Sequence, residues 1–456
     1  PVPTAETTMA PVPHDESTAM IMSDSVRGQR VGVTNQVAIV GVVDSGIEVS
    51  HQDLGIWGVG WNCTTQTSPW DDIDNGGSGH GTHVAGSILG RGNAEADHLG
   101  NAPGLGSWGG ASRVFNYRRF PNPCSVSLTT ITSTFGNSYD DGTNVTERPH
   151  VINNSWGSFY TNGMQAVGSE FECRVVDDAA FDQDQLWVWS AGNSGPNAST
   201  LAIEASAKNA LTLGNVVDYA TTVGDPGTIW TSSSRGPAGD NRWKPNLMAP
   251  GRFIRSCLAN DNDGYANYSG TSMAAPHATA AAAMLVDGYS FFRYQPARLY
   301  AHLMATAMTK DNQIISTPGS SHLGTYGAGR VNVYKAAYNL GGNTWLNWGT
   351  SLNGSWAFGN FDVPVGTTRI VAVMTSLEES ASAGASQALV NDYDFYLDRD
   401  PIDPAGNVGE YFAQQSAIDN SEIRIINNPP SGPWRWKVWP DSVSSETKLG
   451  VTVYFI

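Results

Sequence analysis

The sequence predicts an α/β fold, with a doubly wound and mainly parallel sheet, followed by an all-β jelly-roll or sandwich domain. Over most of the chain, short apolar runs rich in β-branched residues alternate with helix-like segments. This alternation is typical of a parallel sheet with helices on both faces. Beyond residue 340, strand-like pieces separated by Gly, Pro and Asn replace the helices, which is typical of antiparallel sheets.

Individual elements of the first part can be placed from their apolar runs. Strands are expected at QVAIVGVV (36–43), HVINN (150–154), LWVWS (186–190) and ALTLGNVV (210–217). Runs this apolar indicate strands that are buried on both faces. Helices are expected at GTHVAGSIL (81–89), RVVDDAAF (174–181) and MAAPHATAAAAML (273–285).

The change of character near residue 340 divides the chain into domains. We expect a mobile N-terminal tail (1–20), an α/β domain (21–340) and a C-terminal β domain (341–456), with a link at 338–343. The β domain is predicted from pieces such as TRIVAVMT, DYDFYLD, WRWKVW and LGVTVYF. Gly, Pro and Asn between the pieces supply the turns that antiparallel strands need.

Composition excludes several classes of function. Only 15% of the 456 residues are charged, against about 25% in ordinary soluble domains. The formal net charge of −17 argues against nucleic acid and anionic membranes as partners. The longest apolar runs, such as VAIVGVV, are far shorter than the ~20 residues that span a bilayer. We expect a soluble, secreted monomer.

The four cysteines and the first residues of the chain also bear on its location. Their even number and the lack of a C-x-x-C pair favour two disulfides over a zinc site, with three possible pairings. Four buried free thiols are the alternative. The chain begins PVPTAETTMA, without Met or an apolar leader, so we expect that a targeting or pro-segment has been removed or lies outside it.

Three polar residues stand where strands end or helices begin. Asp44 ends the first strand, His80 follows the glycine-rich approach NGGSG, and Ser272 precedes the alanine-rich helix. Singly, they are also compatible with a surface turn, a capping histidine and a helix N-cap. Together they supply a nucleophile, a base and an orienting carboxylate, which a Ser–His–Asp constellation requires.

Three blocks resemble the catalytic blocks of the subtilisin-like serine proteases: VVDSGIEVSHQDL, GHGTHVAG and GTSMAAPH, in that family's Asp–His–Ser order. NSWG is similar to the family's substrate-binding strand, and SAGNSGP to its oxyanion loop. The likeness runs from about residue 36 to residue 335. AKNALTLG and LVNDYDFYLD resemble the branch with a C-terminal jelly-roll domain.

The resemblance implies a role for each matching residue. Ser272 is expected to be the nucleophile, His80 its general base and Asp44 the residue that orients the imidazole. Asn193 is expected to donate its amide to the oxyanion, together with the backbone N–H of Ser272. His83, one turn further along the helix, is a rival base. Without a G-x-S-x-G elbow, an α/β-hydrolase lipase or esterase is disfavoured.

The resemblance also implies protein or peptide substrates bound as an added β-strand. The first specificity pocket would be uncharged, so we expect broad cleavage after apolar or aromatic residues. Glu204 is a departure from the family pattern, because a glutamate facing the pocket would favour basic side chains instead. The residues expected to line the pocket are Ser155, Trp156, Gly157, Ala191 and Gly192.

Two further expectations rest on the resemblance. The segments around two of the cysteines border the outer substrate subsites in the family, which implies the disulfides Cys124–Cys173 and Cys63–Cys257. His277, within the nucleophile's helix, is expected to be structural. A catalytically silent binding protein that kept the scaffold is the alternative function.

Two acidic groups predict bound calcium. WDDIDNGGSG, before His80, holds carboxylates with no Lys or Arg to offset them. Along NDYDFYLD, alternate aspartates share one face of a strand. Hard oxygen ligands are what Ca²⁺ takes, although a solvated acidic turn is the alternative for the first group. The expected ligands are Asp71, Asp72 and Asp74 in the loop, and Asp392 and Asp394 in the β domain.

Overall fold

The fold is taken from a computed structural model of the chain. It describes residues 14–26, 37–54, 58–62, 79–105, 114–120, 127–137, 139–140, 146–218, 226–308, 323–338, 340, 344–350, 357–399, 410–412 and 416–456.

A seven-stranded parallel sheet forms the centre of the first part of the chain, with the order β2-β3-β1-β6-β7-β8-β9. Two short antiparallel pairs, β4–β5 and β10–β11, lie beside it. The strands are β1 (Val40–Asp44), β2 (Gly58–Asn62), β3 (Val114–Arg118), β4 (Tyr139–Asp140), β5 (Thr146–Glu147), β6 (Val151–Asn154), β7 (Leu186–Ser190), β8 (Leu211–Val216), β9 (Leu247–Pro250), β10 (Ile254–Cys257) and β11 (Tyr265–Tyr268).

Helices cover this sheet, and α5 is the central one. It packs against β6, β7, β8 and β9, and against α2. Its alanine side chains are buried, and their small size lets the helix approach the sheet closely. The helices are α1 (His14–Met20), α2 (His80–Leu89), α3 (Leu128–Gly136), α4 (Phe171–Asp182), α5 (Thr271–Gly288), α6 (Pro296–Ala305), α7 (Leu323–Tyr326) and α8 (Val333–Tyr338).

The C-terminal β region (344–456) consists of two four-stranded antiparallel sheets, with the orders β12-β19-β14-β17 and β13-β18-β15-β16. Trp434, Trp436 and Phe395 lie in the core that they share. Eight strands in two sheets are what a jelly roll requires, and that closer assignment stays a prediction. The strands are β12 (Thr344–Thr350), β13 (Ala357–Val363), β14 (Arg369–Glu378), β15 (Asp392–Asp398), β16 (Glu410–Phe412), β17 (Ser421–Asn427), β18 (Gly432–Ser442) and β19 (Thr447–Phe455).

The predicted fold class is confirmed: a parallel α/β sheet precedes antiparallel sheets. The division into domains stays a prediction, although α8 ends and β12 begins on either side of the expected link. The start of the chain differs from the expected mobile tail, because residues 14–20 form α1 and Met20 is fully buried. Ser23 also donates to Asn101 Oδ1 at 2.7 Å. Residues 1–13 lie outside the described part.

The cysteine prediction is wrong in its pairings. Cys173 and Cys257 are buried free thiols, so the disulfides Cys124–Cys173 and Cys63–Cys257 are not formed. Cys173 is directed into the core, where its Sγ donates to the carbonyl of Ile203 at 2.9 Å. Cys63 and Cys124 lie outside the described residues.

Among the described helices, none combines the length and the apolar character needed to cross a bilayer.

Three fully buried histidines are held in their neutral form. Burial lowers the pKa of His83 to about 3, and the pKa values of His277 and His302 to about 4. An unfolded histidine titrates near pH ~6.5. Unfolding therefore takes up protons below that pH, so these residues lower the free energy of unfolding as pH falls from ~6.5 towards ~4.

The variant His302→Gln should lose part of this acid sensitivity. His302 Nε2 donates to the carbonyl of Ala336 at 2.8 Å, and a glutamine amide can replace that donor without titrating. Between pH 6.5 and pH 5, the free energy of unfolding should fall by about 2 kcal/mol less in the variant than in the parent. Denaturant unfolding in a Ser272→Ala background measures it.

Met304→Leu, on the same helix, is the matched control, because it changes a buried side chain that does not titrate. The free energy of unfolding of this control should differ from that of the parent by the same amount at both pH values. If the parent and His302→Gln lost the same free energy of unfolding between the two pH values, His302 would not be a source of the acid sensitivity.

Candidate active site

A buried acid and a buried histidine meet at the carboxyl end of strand β1. Asp44 ends β1 and His80 begins α2, and His80 Nδ1 lies 2.7 Å from Asp44 Oδ1. Their exposed fractions are 1% and 7%. When Nδ1 carries the proton, the Nδ1–H group donates to the carboxylate. The ring lone pair is then on Nε2. This tautomer suits a general base.

The approach of α2 to the end of β1 depends on a glycine. The backbone N–H of Gly81 donates to Ser45 Oγ at 2.8 Å. A Cβ on Gly81 would lie 2.1 Å from the carbonyl oxygen of Gly46, a distance that no side chain tolerates. The sequence GHGTH therefore places His80 against Asp44 because the next residue has no side chain.

Ser272 lies in the first turn of α5 and is joined to Ser155 by two hydrogen bonds. Ser272 Oγ donates to the carbonyl of Ser155 at 2.9 Å, and Ser155 Oγ donates to the carbonyl of Ser272 at 2.8 Å. Within α5, the usual donor to the Ser272 carbonyl would be the N–H of residue 276, which is proline. Pro276 has no N–H, so the side chain of Ser155 provides the donor.

Asn193 follows β7 and is fixed by the residue before Ser272. Its Oδ1 accepts from the backbone N–H of Thr271 at 2.9 Å and from Thr271 Oγ1 at 3.2 Å. Thr271 Oγ1 in turn accepts from the N–H of Gly192 at 3.1 Å. With Oδ1 used in this way, the amide group presents Nδ2 as a donor near the start of α5. The sequence motif gave no role to Thr271.

The expected substrate-binding residues lie in two stretches, 155–157 and 191–192, which are the two sides of the expected substrate crevice. The segment that contacts both stretches is called the pocket floor (202–206). The N–H of Ala202 donates to the carbonyl of Ala191, and the N–H of Ile203 donates to the carbonyl of Ser158, both at 2.9 Å. A Cβ on Gly157 would lie 2.6 Å from Ala202 Cβ. The floor is therefore bonded to both sides.

Aromatic side chains lie at both of these stretches. Phe159 lies over Gly192, where an added Cβ would be 2.8 Å from the ring. On the other side, the Arg119 guanidinium lies 4.1 Å from the centre of a Trp156 ring, and burial lowers the pKa of Arg119. Neither Phe159 nor Arg119 belongs to a motif, so the sequence gave no signal for them.

Glu204, within the pocket floor, is buried, with 1% of its surface exposed. Its Oε2 accepts from the N–H of Ser158 and its Oε1 from Ser158 Oγ, both at 2.8 Å. Burial raises its pKa, and those hydrogen bonds oppose the increase. Both carboxylate oxygens therefore hold the chain beside the crevice.

The other histidines near the site are bonded to backbone. His83 Nε2 lies 2.9 Å from the carbonyl of Ile254 and 3.0 Å from that of Ala266. His277 Nδ1 lies 2.8 Å from the carbonyl of Met273. Burial lowers the pKa of both, so neither is poised to take a proton near neutral pH.

The expected calcium ligands are only partly within the described residues. Asp71, Asp72 and Asp74 lie outside them. In the β region, burial and the charges of Asp394 and Asp441 raise the pKa of Asp392 to about 6. Asp392 Oδ1 is buried without a hydrogen-bond partner among the described residues.

A second cluster with metal-ligand atoms has a structural role. The ligand atoms of His51, Asp53 and Cys257 lie within 4.8 Å of one another. However, His51 Nδ1 accepts from the N–H of Asp53 at 3.1 Å, and His51 Nε2 lies 2.9 Å from the carbonyl of Gly264. Asp53 Oδ2 accepts from Tyr265 at 2.7 Å. Both ring nitrogens are therefore already in use.

Comparisons with known proteins identify the family of this chain. The profile of the subtilase family, Peptidase_S8, matches residues 35–329. Subtilisin E from Bacillus subtilis (strain 168) is 30% identical over 306 residues, which cover 67% of this chain and 67% of that protein. A subtilisin from Bacillus pumilus is 29% identical over 311 residues, which cover 67% of this chain and 93% of that protein.

Among solved structures, fervidolysin from Fervidobacterium pennivorans, described as a keratinolytic enzyme related to subtilisin, matches with a TM-score of 0.52 and 21% identity. The match covers 89% of this chain and 53% of fervidolysin, so this chain spans about half of that one. At this identity the likeness supports the fold alone. Because the family profile covers well over half of the sequence, the chain belongs to the subtilase family of serine endopeptidases.

Proposed function

We propose that this subtilase hydrolyses peptide bonds through Asp44, His80 and Ser272. The observation that carries the proposal is the 2.7 Å contact between His80 Nδ1 and Asp44 Oδ1. It lies at the start of α2, and α2 packs against α5, whose first turn holds Ser272. A buried carboxylate that fixes the imidazole is what a serine nucleophile's base needs.

The reaction begins with a rotation of the Ser272 side chain. Its Oγ leaves the carbonyl of Ser155, transfers its proton to His80 Nε2 and bonds to the scissile carbonyl carbon. His80 then gives the proton to the leaving amine as the peptide C–N bond breaks. Water, deprotonated by His80, attacks the acyl-enzyme and releases the acid and free Ser272.

The oxyanion of each tetrahedral intermediate is assigned to Asn193 Nδ2 and to the backbone N–H of Ser272. Thr271 accounts for the orientation of Asn193, since its N–H and hydroxyl occupy Oδ1. The first N–H groups of a helix have no partner within it, and the helix dipole favours negative charge there. Both donors are thus prepared before the charge forms.

Ser272→Ala should abolish turnover and covalent labelling by a serine-directed fluorophosphonate, because the attacking oxygen is gone. Asn193→Ala keeps that oxygen, so Ser272 should still be labelled, with kcat lowered by about 10²–10³ and little change in KM. Labelling followed by peptide mapping, together with initial rates on a peptide substrate, measures both.

Peptidase activity in Ser272→Ala would overturn the triad. An unlabelled Ser272 in the folded parent chain would favour a silent binding protein. An unchanged kcat in Asn193→Ala would mean that the oxyanion is bound elsewhere.

The crevice favours apolar or aromatic side chains at P1, the substrate residue whose carbonyl is attacked. Ala202 and the ring of Phe159 provide apolar walls, whereas Glu204 is buried with both oxygens bonded to Ser158. Cleavage sites in a denatured protein, identified by mass spectrometry, should therefore concentrate after apolar residues, and a majority after Lys or Arg would contradict this preference.

Secretion, a monomeric state and a removed pro-segment stay predictions.

Calcium remains a proposal for two sites. Asp71, Asp72 and Asp74 form one set, and Asp392 with Asp394 the other. For the second set, Asp392 has a raised pKa and an Oδ1 without a hydrogen-bond partner among the described residues, and a bound cation would stabilise its ionised form. Carboxylate oxygens are the ligands that Ca²⁺ prefers.

Removal of calcium should therefore lower the melting temperature, because an ion bound only by the folded state stabilises it. The melt is measured in Ser272→Ala, which prevents autolysis, with excess chelator and again after Ca²⁺ is restored. Asp392→Asn should reduce the part of the shift that comes from the β region. An unchanged melting temperature and no calcium in elemental analysis would show that these are solvated acidic groups.

A further inference from the structure

The pocket floor (202–206) leads directly into contacts with the C-terminal β region. Lys208 follows the floor by two residues and is fully buried. Its Nζ donates to the carbonyl of Glu379 at 2.6 Å and lies 3.8 Å from Glu378 Oε1. Both acceptors belong to the β region, at the end of β14. Acceptors of this kind offset the cost of placing an ammonium group away from water.

Asn209 makes the second contact. Its Nδ2 donates to the carbonyl of Glu378 at 2.7 Å and to that of Asp177 at 2.9 Å. Asp177 also binds Lys208, at 3.4 Å. One side chain therefore joins the segment after the floor to α4 and to β14 together.

The β region also reaches this segment through an asparagine. Asn420 Nδ2 donates to the carbonyl of Lys208 at 2.8 Å and to that of Ser376, within β14, at 3.0 Å. The chain that leaves the floor is thus bonded through its backbone as well as through its side chains.

A fourth contact acts on the floor itself. Arg242 Nη2 donates to the carbonyl of Ser206, the last floor residue, at 2.7 Å. Arg242 Nε is held by Asp240 Oδ2 at 2.6 Å, and that oxygen also accepts from the N–H of Ala388 in the β region at 3.0 Å. The β region therefore supports the group that holds the floor.

We propose that the C-terminal β region is a functional part of the substrate pocket, with Lys208 as the positioning residue through which it fixes the pocket floor and so sets P1 selectivity. The inference rests on the proposed function. Ala202 and Ile203 bond to the two sides of the expected crevice. At the floor's other end, Ser206 is bonded to Arg242, and Lys208, two residues further on, is bonded to the β region. A shift at Lys208 therefore moves the pocket floor that a P1 side chain meets.

A contact of the same kind, further from the floor, provides the matched control. Lys448 in β19 donates to Asp184 Oδ1 at 2.8 Å and to the carbonyl of Phe181. It joins the β region to the far end of α4. Loss of Lys448 weakens the same interface without touching residues 202–209.

The test compares Lys208→Met with Lys448→Met in the full chain. Each variant is assayed on two peptides that differ only in Phe or Ala at P1. We expect the ratio of the two kcat/KM values to change about tenfold in Lys208→Met, mainly through KM of the Phe peptide. Lys448→Met should lower the melting temperature and leave the ratio as in the parent.

Asn420→Ala keeps the proposal testable if Lys208→Met does not fold, because it removes two hydrogen bonds and no charge. It should shift the ratio in the same direction by a smaller factor. An unchanged ratio in Asn420→Ala, or equal shifts in Lys208→Met and Lys448→Met, would overturn the proposal. Fluorophosphonate labelling of Ser272 in each variant reports on the catalytic assignment separately, so the two failures can be distinguished.

Discussion

The close packing of α5 against the sheet is the constraint on which the candidate site depends. Parallel strands present their carboxyl ends at one edge, so Asp44 and Asn193 follow strands at the same side of the molecule. The N-terminus of α5 comes to that edge because its alanines allow the helix to lie against β6, β7, β8 and β9. Larger side chains at those positions would move Ser272 away from Ser155 and Asn193.

Sequence reasoning predicted the fold class, which the structure confirms, and named the candidate catalytic residues, because apolar runs and family blocks are local patterns. It missed Thr271, and it left the orientation of Glu204 open, since both depend on hydrogen bonds between residues far apart in the chain. The wrong disulfide pairings have the same origin. Whether Cys173 points at another cysteine or at the carbonyl of Ile203 is decided by packing.

The part of the interface with the β region that follows the pocket floor is polar and buried, so its groups must lie in defined positions. Lys208, Asp177 and Glu378 have no exposed side-chain surface. Such groups contribute little net stability compared with apolar residues of similar size, but each requires its partners in place. An interface of this kind tolerates few relative positions of the two parts. That property suits a region that supports a specificity pocket.

Pro276 has a consequence for the order in which the molecule opens. Because it cannot donate to the carbonyl of Ser272, the first turn of α5 takes its bond from Ser155, at the end of a central strand. Fraying usually begins at helix ends, which are bonded only within the helix. Here the end that holds Ser272 separates only when the sheet does. The start of α5 should therefore resist proteolytic nicking to nearly the same degree as the centre of the sheet.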